Sequence, residues 1–274
     1  MKKYDVVLGA GCSFMNGDAI CDEMGKPAHV RPAMVLAKKL NCKEENLART
    51  GSSNDRIFRN IFNWVESNSN PALSPNFKNP LIIIGLSGTA RYPVWNDFRK
   101  QWFDIQPANV GSYDDRGLSR VNENITDGYG NVKDLRFWQE YYIKWIYNSE
   151  KENEKLQRNV IMLHHYLKAK NVDYYLFNSL EDGLGDIKDK INYISFGILE
   201  LIKQGKFKER DNRSGDCWVN WLMHEMENID GNHFDRDEHL RSPIPPYGRQ
   251  FCSGHPSPRA QEKLAEKIYE ELKK

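Results

Sequence analysis

Two residues at opposite ends of a 274-residue chain have the chemistry of acyl transfer. Ser13 closes Gly9-Ala10-Gly11-Cys12-Ser13, a glycine turn directly after the short apolar run Val6-Val7-Leu8. In an open α/β sheet, the crevice outside the carboxyl ends of the strands is where ligands bind, and such a turn opens onto it. His255 lies in Cys252-Ser253-Gly254-His255-Pro256-Ser257, a loop just ahead of a helix, and a histidine so placed can point into the same crevice. Between them Gly51-Ser52-Ser53-Asn54 is a second glycine turn opening a helix. Its backbone N–H groups are of the kind that hold an oxyanion. A nucleophile, a base and donor-bearing turns are the minimum for acyl transfer. Ser13 viewed alone fits a helix cap equally well.

Other motifs fall short. Gly9-x-Gly11 begins a dinucleotide fingerprint, but its third glycine would be Phe14. No Lys-Ser or Lys-Thr pair follows Gly17, so a phosphate-binding loop fails too. Gly11-x-Ser13 is half of a nucleophile elbow, with Met15 where the closing glycine belongs. His164-His165 are adjacent and do not share a helix face, and His224-Glu225 lacks a second histidine. The run from Asp230 to His239 has no glycine at the sixth position of a calcium loop in either frame. No metal and no cofactor are expected. Asp235 and Asp237 in that run are candidates for a carboxylate that orients His255.

The elements that must position these residues alternate. Val6–Leu8 and Leu81–Leu86 are apolar enough for buried strands, as is Val172–Phe177. Pro32–Leu40 has apolar residues at helical spacing, and a helix carrying Ile57, Ile61, Trp64 and Val65 is capped by Ser53 or Asn54. A long helical region is expected from about 135 to 170, and a helical piece over 191–202. Ser257-Pro258 starts a last helix, with serine capping and proline at its first position. Strands alternating with helices predict one three-layer α/β/α sandwich over 1–274, with a mostly parallel, roughly five-stranded, flavodoxin-like sheet. Insertions are expected at about 91–135 and 180–250. The aromatic stretch Tyr92, Trp95, Phe98, Trp102 and Phe103 has helical spacing, as the core of an inserted subdomain or the side wall of a substrate cleft.

Composition narrows the partners. Lys and Arg number 39 against 38 Asp and Glu, which lacks the basic excess of a protein that binds nucleic acid by bulk electrostatics. No apolar run approaches the roughly 20 residues of a membrane span. No export signal is visible, so a cytoplasmic location is expected. The five cysteines contain no C-x-x-C pair and read as free thiols in a reducing compartment.

The blocks together resemble the SGNH (GDSL-like) hydrolase family. Gly11-Cys12-Ser13-Phe14-Met15-Asn16-Gly17-Asp18 looks like its first block, G-D-S-x-x-x-G, with Cys12 replacing the aspartate. Asn46 to Asn54 looks like the second block, whose glycine donates an oxyanion N–H, here Gly51. His255-Pro256-Ser257 looks like the last block, in which the histidine is the base. Two positions depart from the family. After Leu81–Leu86 the chain reads Gly85-Leu86-Ser87-Gly88, so Ser87 stands where the oxyanion asparagine belongs, and Asn54 is the alternative side-chain donor. Cys252 stands where an aspartate usually orients the histidine. The resemblance implies a serine esterase acting on a small-molecule or carbohydrate ester. The two departures imply the alternative, a catalytically degenerate module kept for binding or for structure in a larger assembly.

Overall fold

The computed structural model describes residues 2–17, 30–69, 77–96, 100–105, 141–206, 215–222, 224, 251–252 and 255–274, with only the backbone course of 96, 101, 103, 105, 251, 252 and 255. In chain order the strands are β1 (Val6–Ala10), β2 (Lys43–Asn46), β3 (Pro80–Leu86), the hairpin β4 (Tyr92–Asn96) and β5 (Gln101–Ile105), β6 (Asp173–Asn178), and the short pair β7 (Phe251–Cys252) and β8 (His255–Pro256). The helices are α1 (Ser13–Asn16), α2 (Pro32–Leu40), α3 (Asn54–Asn68), α4 (Ser149–Ala169), α5 (Ile198–Lys203) and α6 (Pro258–Lys273).

A four-stranded parallel sheet in the order β2-β1-β3-β6 forms the centre. β1 pairs with β3 from Val6↔Pro80 to Ala10↔Ile84, and β3 with β6 from Leu81↔Asp173 to Leu86↔Asn178. Both faces are covered. Val7, Leu81, Ile83 and Phe177 pack with Ala33, Leu36 and Ala37 of α2 and Leu264, Ala265 and Ile268 of α6. Leu8, Ile82, Ile84 and Leu176 pack with Ile57, Ile61 and Val65 of α3 and Leu156, Val160, Leu163 and Leu167 of α4. Each fully buried aliphatic side chain contributes about 1.5–3 kcal/mol. The unbroken run Leu81 to Ile84, with no exposure at all, therefore explains why β3 takes the centre. The result is an α/β/α sandwich, as expected.

The details differ from the expectations in four places. Among the described residues the sheet has four strands. The fifth position is held by a single parallel bridge, Leu176↔Tyr193, where the chain runs past the β6 edge without lengthening into a strand. The aromatic stretch after β3 is an antiparallel hairpin, with Trp95 directly opposite Trp102. The long helical region is broken: a π-helical turn, Tyr142–Ile146, ends before Asn148, whose side chain caps α4 by accepting from the Lys151 N–H at 3.0 Å. The piece expected over 191–202 is helical only from Ile198, after a 3₁₀ segment, Gly185–Lys190. No helix among the described residues is long and apolar enough to cross a membrane.

Candidate active site

The carboxyl ends of β1, β2 and β3 bring the sequence-derived candidates to one edge of the sheet. Ser13 follows Ala10 by three residues and Ser87 follows Ile84 by three, and Ala10 and Ile84 are register partners. Ser13 and Ser87 thus leave neighbouring strands at the same level, and strands lie about 4.8 Å apart. On the other side of β1 the ladder continues past β2, since Arg49 N–H donates to Gly11 C=O at 3.1 Å. That pins the turn Arg49-Thr50-Gly51-Ser52 beside the Ser13 turn.

Each part has a local cause. Cys12, in extended conformation, is the N-cap of α1, so Ser13 is not the cap but the first helical residue, 5% exposed. Its N–H belongs to the first helical turn, where no intrahelical acceptor exists. Gly17 ends α1 in the left-handed region, which costs glycine nothing. Met15, where an elbow would have glycine, fills the slot between Gly11 and Gly85. A Cβ on Gly85 would lie 2.7 Å from Met15 Cγ. In the second turn Ser52 N–H donates to Arg49 C=O at 3.2 Å, and Gly51, at the third position, has φ +77°. Turns of that kind require positive φ there, hence glycine. The turn's own bond uses the Ser52 N–H and not that of Gly51.

Asn54, the first residue of α3, spends its carboxamide on the backbone of Ser87. Its Oδ1 accepts from Ser87 N–H at 2.8 Å and its Nδ2 donates to Ser87 C=O at 3.0 Å. The second and third turns are thereby locked together. The Ser87 hydroxyl is buried without a hydrogen-bond partner among the described residues, as are those of Ser52 and Ser179, the latter just past β6.

The C-terminal block reaches the same edge through its backbone. β8, which contains His255, pairs with β7, Cys252 opposite His255, and has Cα atoms within 8 Å of both α1 and α6. Ser257 caps α6, its Oγ accepting from Ala260 N–H at 3.2 Å, with Pro258 at the first position. Gln261 then donates from Nε2 to Phe14 C=O at 3.0 Å, tying the last helix to α1. Asp235 and Asp237 lie outside the described residues.

Several contacts at this edge carry no signal in the sequence. Ser53, the N-cap of α3, also donates from Oγ to Asp104 of β5 at 2.5 Å, and the other Asp104 oxygen pairs with Arg56 Nε at 2.6 Å. Glu181 accepts from both the N–H and the hydroxyl of Thr89, holding the chain after β3 to the chain after β6. A shallow polar cleft beside α3 is lined by Asn54, Asp55, Thr89, Arg91, Glu152, Lys155 and Asn159. Burial works against the Lys155 charge there, but the 2.6 Å pairing with Asp55 outweighs it and raises its pKa. The nearby hairpin shows two partly exposed indoles, Trp95 and Trp102, edge to face at 5.4 Å, with the Arg59 guanidinium 4.4 Å from the Trp102 ring centre. No group of three or more potential metal ligands occurs among the described residues.

No family model matches the sequence, and no curated protein matches it. Solved structures do. An acetyl xylan esterase from the rumen bacterium Butyrivibrio proteoclasticus is similar over 98% of this chain, with 12% identity and a TM-score of 0.42. This chain spans 63% of that protein's length. A protein named for the G-D-S-L lipolytic family, from Desulfitobacterium hafniense DCB-2, is similar over 97% of this chain and 98% of its own, at 11% identity and a TM-score of 0.37. A protein named as a GDSL-like lipase, from Parabacteroides merdae ATCC 43184, is similar over 98% and 96%, at 12% identity and a TM-score of 0.39.

Proposed function

We propose that the chain is a serine hydrolase that cleaves an ester, with Ser13 as nucleophile and His255 as base. The observation that carries this is the convergence at one sheet edge. Ser13, the Gly51 turn and Ser87 leave three adjacent strands side by side, and the strand containing His255 runs against α1. In this mechanism His255 takes the Ser13 hydroxyl proton as Oγ attacks the acyl carbonyl. The N–H groups of Ser13 and Gly51, helped by Ser87 or the remaining Asn54 N–H, hold the tetrahedral oxyanion. His255 then gives the proton to the departing alcohol. Water, deprotonated by His255, attacks the acyl-enzyme and releases the acid and free Ser13. The oxyanion donors are worth a factor of about 100 to 1000 each. Cys252, Asp235 and Asp237 are the candidates for orienting His255. The substrate class we favour is an acyl group on a carbohydrate or similarly small polar alcohol, with the hairpin after β3 as a side wall.

One observation favours the degenerate alternative. The Asn54 carboxamide is committed to Ser87, and Ser87 itself is 2% exposed, so the side-chain part of the oxyanion site is weakly supplied. A fluorophosphonate probe separates the two. The parent chain should be labelled and should turn over a short aryl ester, and Ser13→Ala should lose both with its melting temperature nearly unchanged. An unlabelled, inactive but folded parent chain supports the binding module instead.

A further inference from the structure

The geometry points to Asp104 as a positioning residue for the candidate oxyanion turn, supplied by the hairpin inserted after β3. This rests on the serine-hydrolase function proposed above. Asp104 lies on β5, opposite Pro93 in the hairpin, and is buried. One carboxylate oxygen accepts from Ser53 Oγ at 2.5 Å and the other takes Arg56 Nε at 2.6 Å. Arg56 also donates from Nη2 to the Trp102 carbonyl on the same strand. Ser53 and Arg56 are the N-cap and third residue of α3, and Ser53 Oγ accepts from the Arg56 N–H at 3.3 Å. The hairpin therefore grips the first turn of α3 through a closed ring of three residues, Asp104, Ser53 and Arg56, completed by the Arg56 backbone N–H.

What that turn carries gives the grip its meaning. Ser53 follows Gly51 by two residues, and Ser52, between them, is further held by Arg91 Nη1 on its carbonyl at 3.2 Å. Asn54, on the other side of Ser53, holds Ser87. An N-cap serine ordinarily needs no second partner, since its hydroxyl already serves a backbone N–H. Here the hydroxyl's own proton goes to a buried carboxylate, which fixes the rotamer. Charge-assisted bonds are about twice as strong as neutral ones, so Asp104 on Ser53 and Arg91 on Ser52 are strong anchors for this turn. Asp104 thus acts on the reaction without touching the substrate: through Ser53 it sets the level at which the Gly51 N–H stands relative to Ser13. Misplacement of about 1 Å in such a group costs up to roughly 100-fold in rate.

The test compares Asp104→Ala and Asp104→Asn with the parent, by aryl-ester kinetics and by amide hydrogen exchange of residues 49–56. The asparagine variant keeps an acceptor for Ser53 and loses the charge on Arg56. Positioning predicts that Asp104→Ala lowers kcat about 10- to 100-fold with KM within about twofold. Exchange should quicken over 49–56 alone, and Asp104→Asn should recover most of the rate. Unchanged kcat and unchanged exchange in Asp104→Ala overturn it. So does faster exchange throughout the chain with a rate loss matching the fraction of probe-labelled protein lost, which is a purely structural role. If the parent hydrolyses no ester, the proposed function fails by itself. The exchange comparison then still decides the grip: quickening confined to 49–56 upholds it, and no change refutes it.

Discussion

Replacing Asn54 with alanine severs both bonds between α3 and the turn after β3. Its two hydrogen bonds, 2.8 and 3.0 Å long, satisfy the N–H and C=O of a residue that is only 2% exposed. A buried polar group that loses its partner costs about 1–3 kcal/mol, and two are orphaned here. Water entering from the adjoining cleft recovers part of this, and alanine is a slightly better helix former. The expected loss is about 2–4 kcal/mol, a large fraction of the roughly 5–15 kcal/mol typical of a folded protein. At about 2–4 °C per kcal/mol, the melting temperature should fall by roughly 4–16 °C. Urea titration followed by tryptophan fluorescence reads the loss as a lower midpoint at unchanged slope. Asn54→Asp should fall between. It keeps the acceptor for the Ser87 N–H and gains about 0.3–1 kcal/mol as a negative charge at a helix N-terminus. It loses the donor to the Ser87 carbonyl. An Asn54→Ala variant within about 0.5 kcal/mol of the parent would refute the reasoning, as would Asn54→Asp proving less stable than Asn54→Ala.

Two further outcomes are expected. Gly85→Ala places a methyl 2.7 Å from both Met15 Cγ and Ser179 Oγ, so it should destabilise by about 1–3 kcal/mol. The double variant with Met15→Ala should lose less than the sum of the two single losses in the same titration. Cys252→Asp should raise esterase turnover about tenfold if no acid holds His255, because a charged partner adds roughly 1 kcal/mol or more over a neutral one. If Asp235→Asn or Asp237→Asn abolishes turnover instead, that carboxylate is the orienting group and the new one is redundant. Rates unchanged in all three leave a backbone carbonyl or a plain Ser-His pair.

The central strands and the capped helices were legible because their signals are local. Leu81 to Leu86 is an apolar run with no competing period, and Ser53 and Ser257-Pro258 are caps that work through neighbours three residues away. β2 was not legible. It is Lys43-Glu44-Glu45-Asn46, an edge strand whose charges are used sideways, Glu44 by Arg31 and Glu45 by Trp64. The hairpin read as helical because its aromatics recur at three- and four-residue spacing, and no glycine marks its turn. Lys100 takes the left-handed conformation there, at φ +49°. Within the candidate site, the glycine turns and Ser13 could be seen in sequence. The Asn54–Ser87 lock and the Ser53–Asp104 bond could not, since they join residues 33 and 51 positions apart.

The bond from Gln261 to the Phe14 carbonyl spans 247 positions, nearly the whole chain. A ribosome adding about 5–20 residues per second needs roughly 12–50 seconds to cover that distance. During that interval β1, β2 and β3 can already pair, while the face of the sheet that α6 will cover stays open to water. The nascent protein therefore carries the Ser13 turn beside an unfinished apolar surface until the helix that holds Gln261 is made.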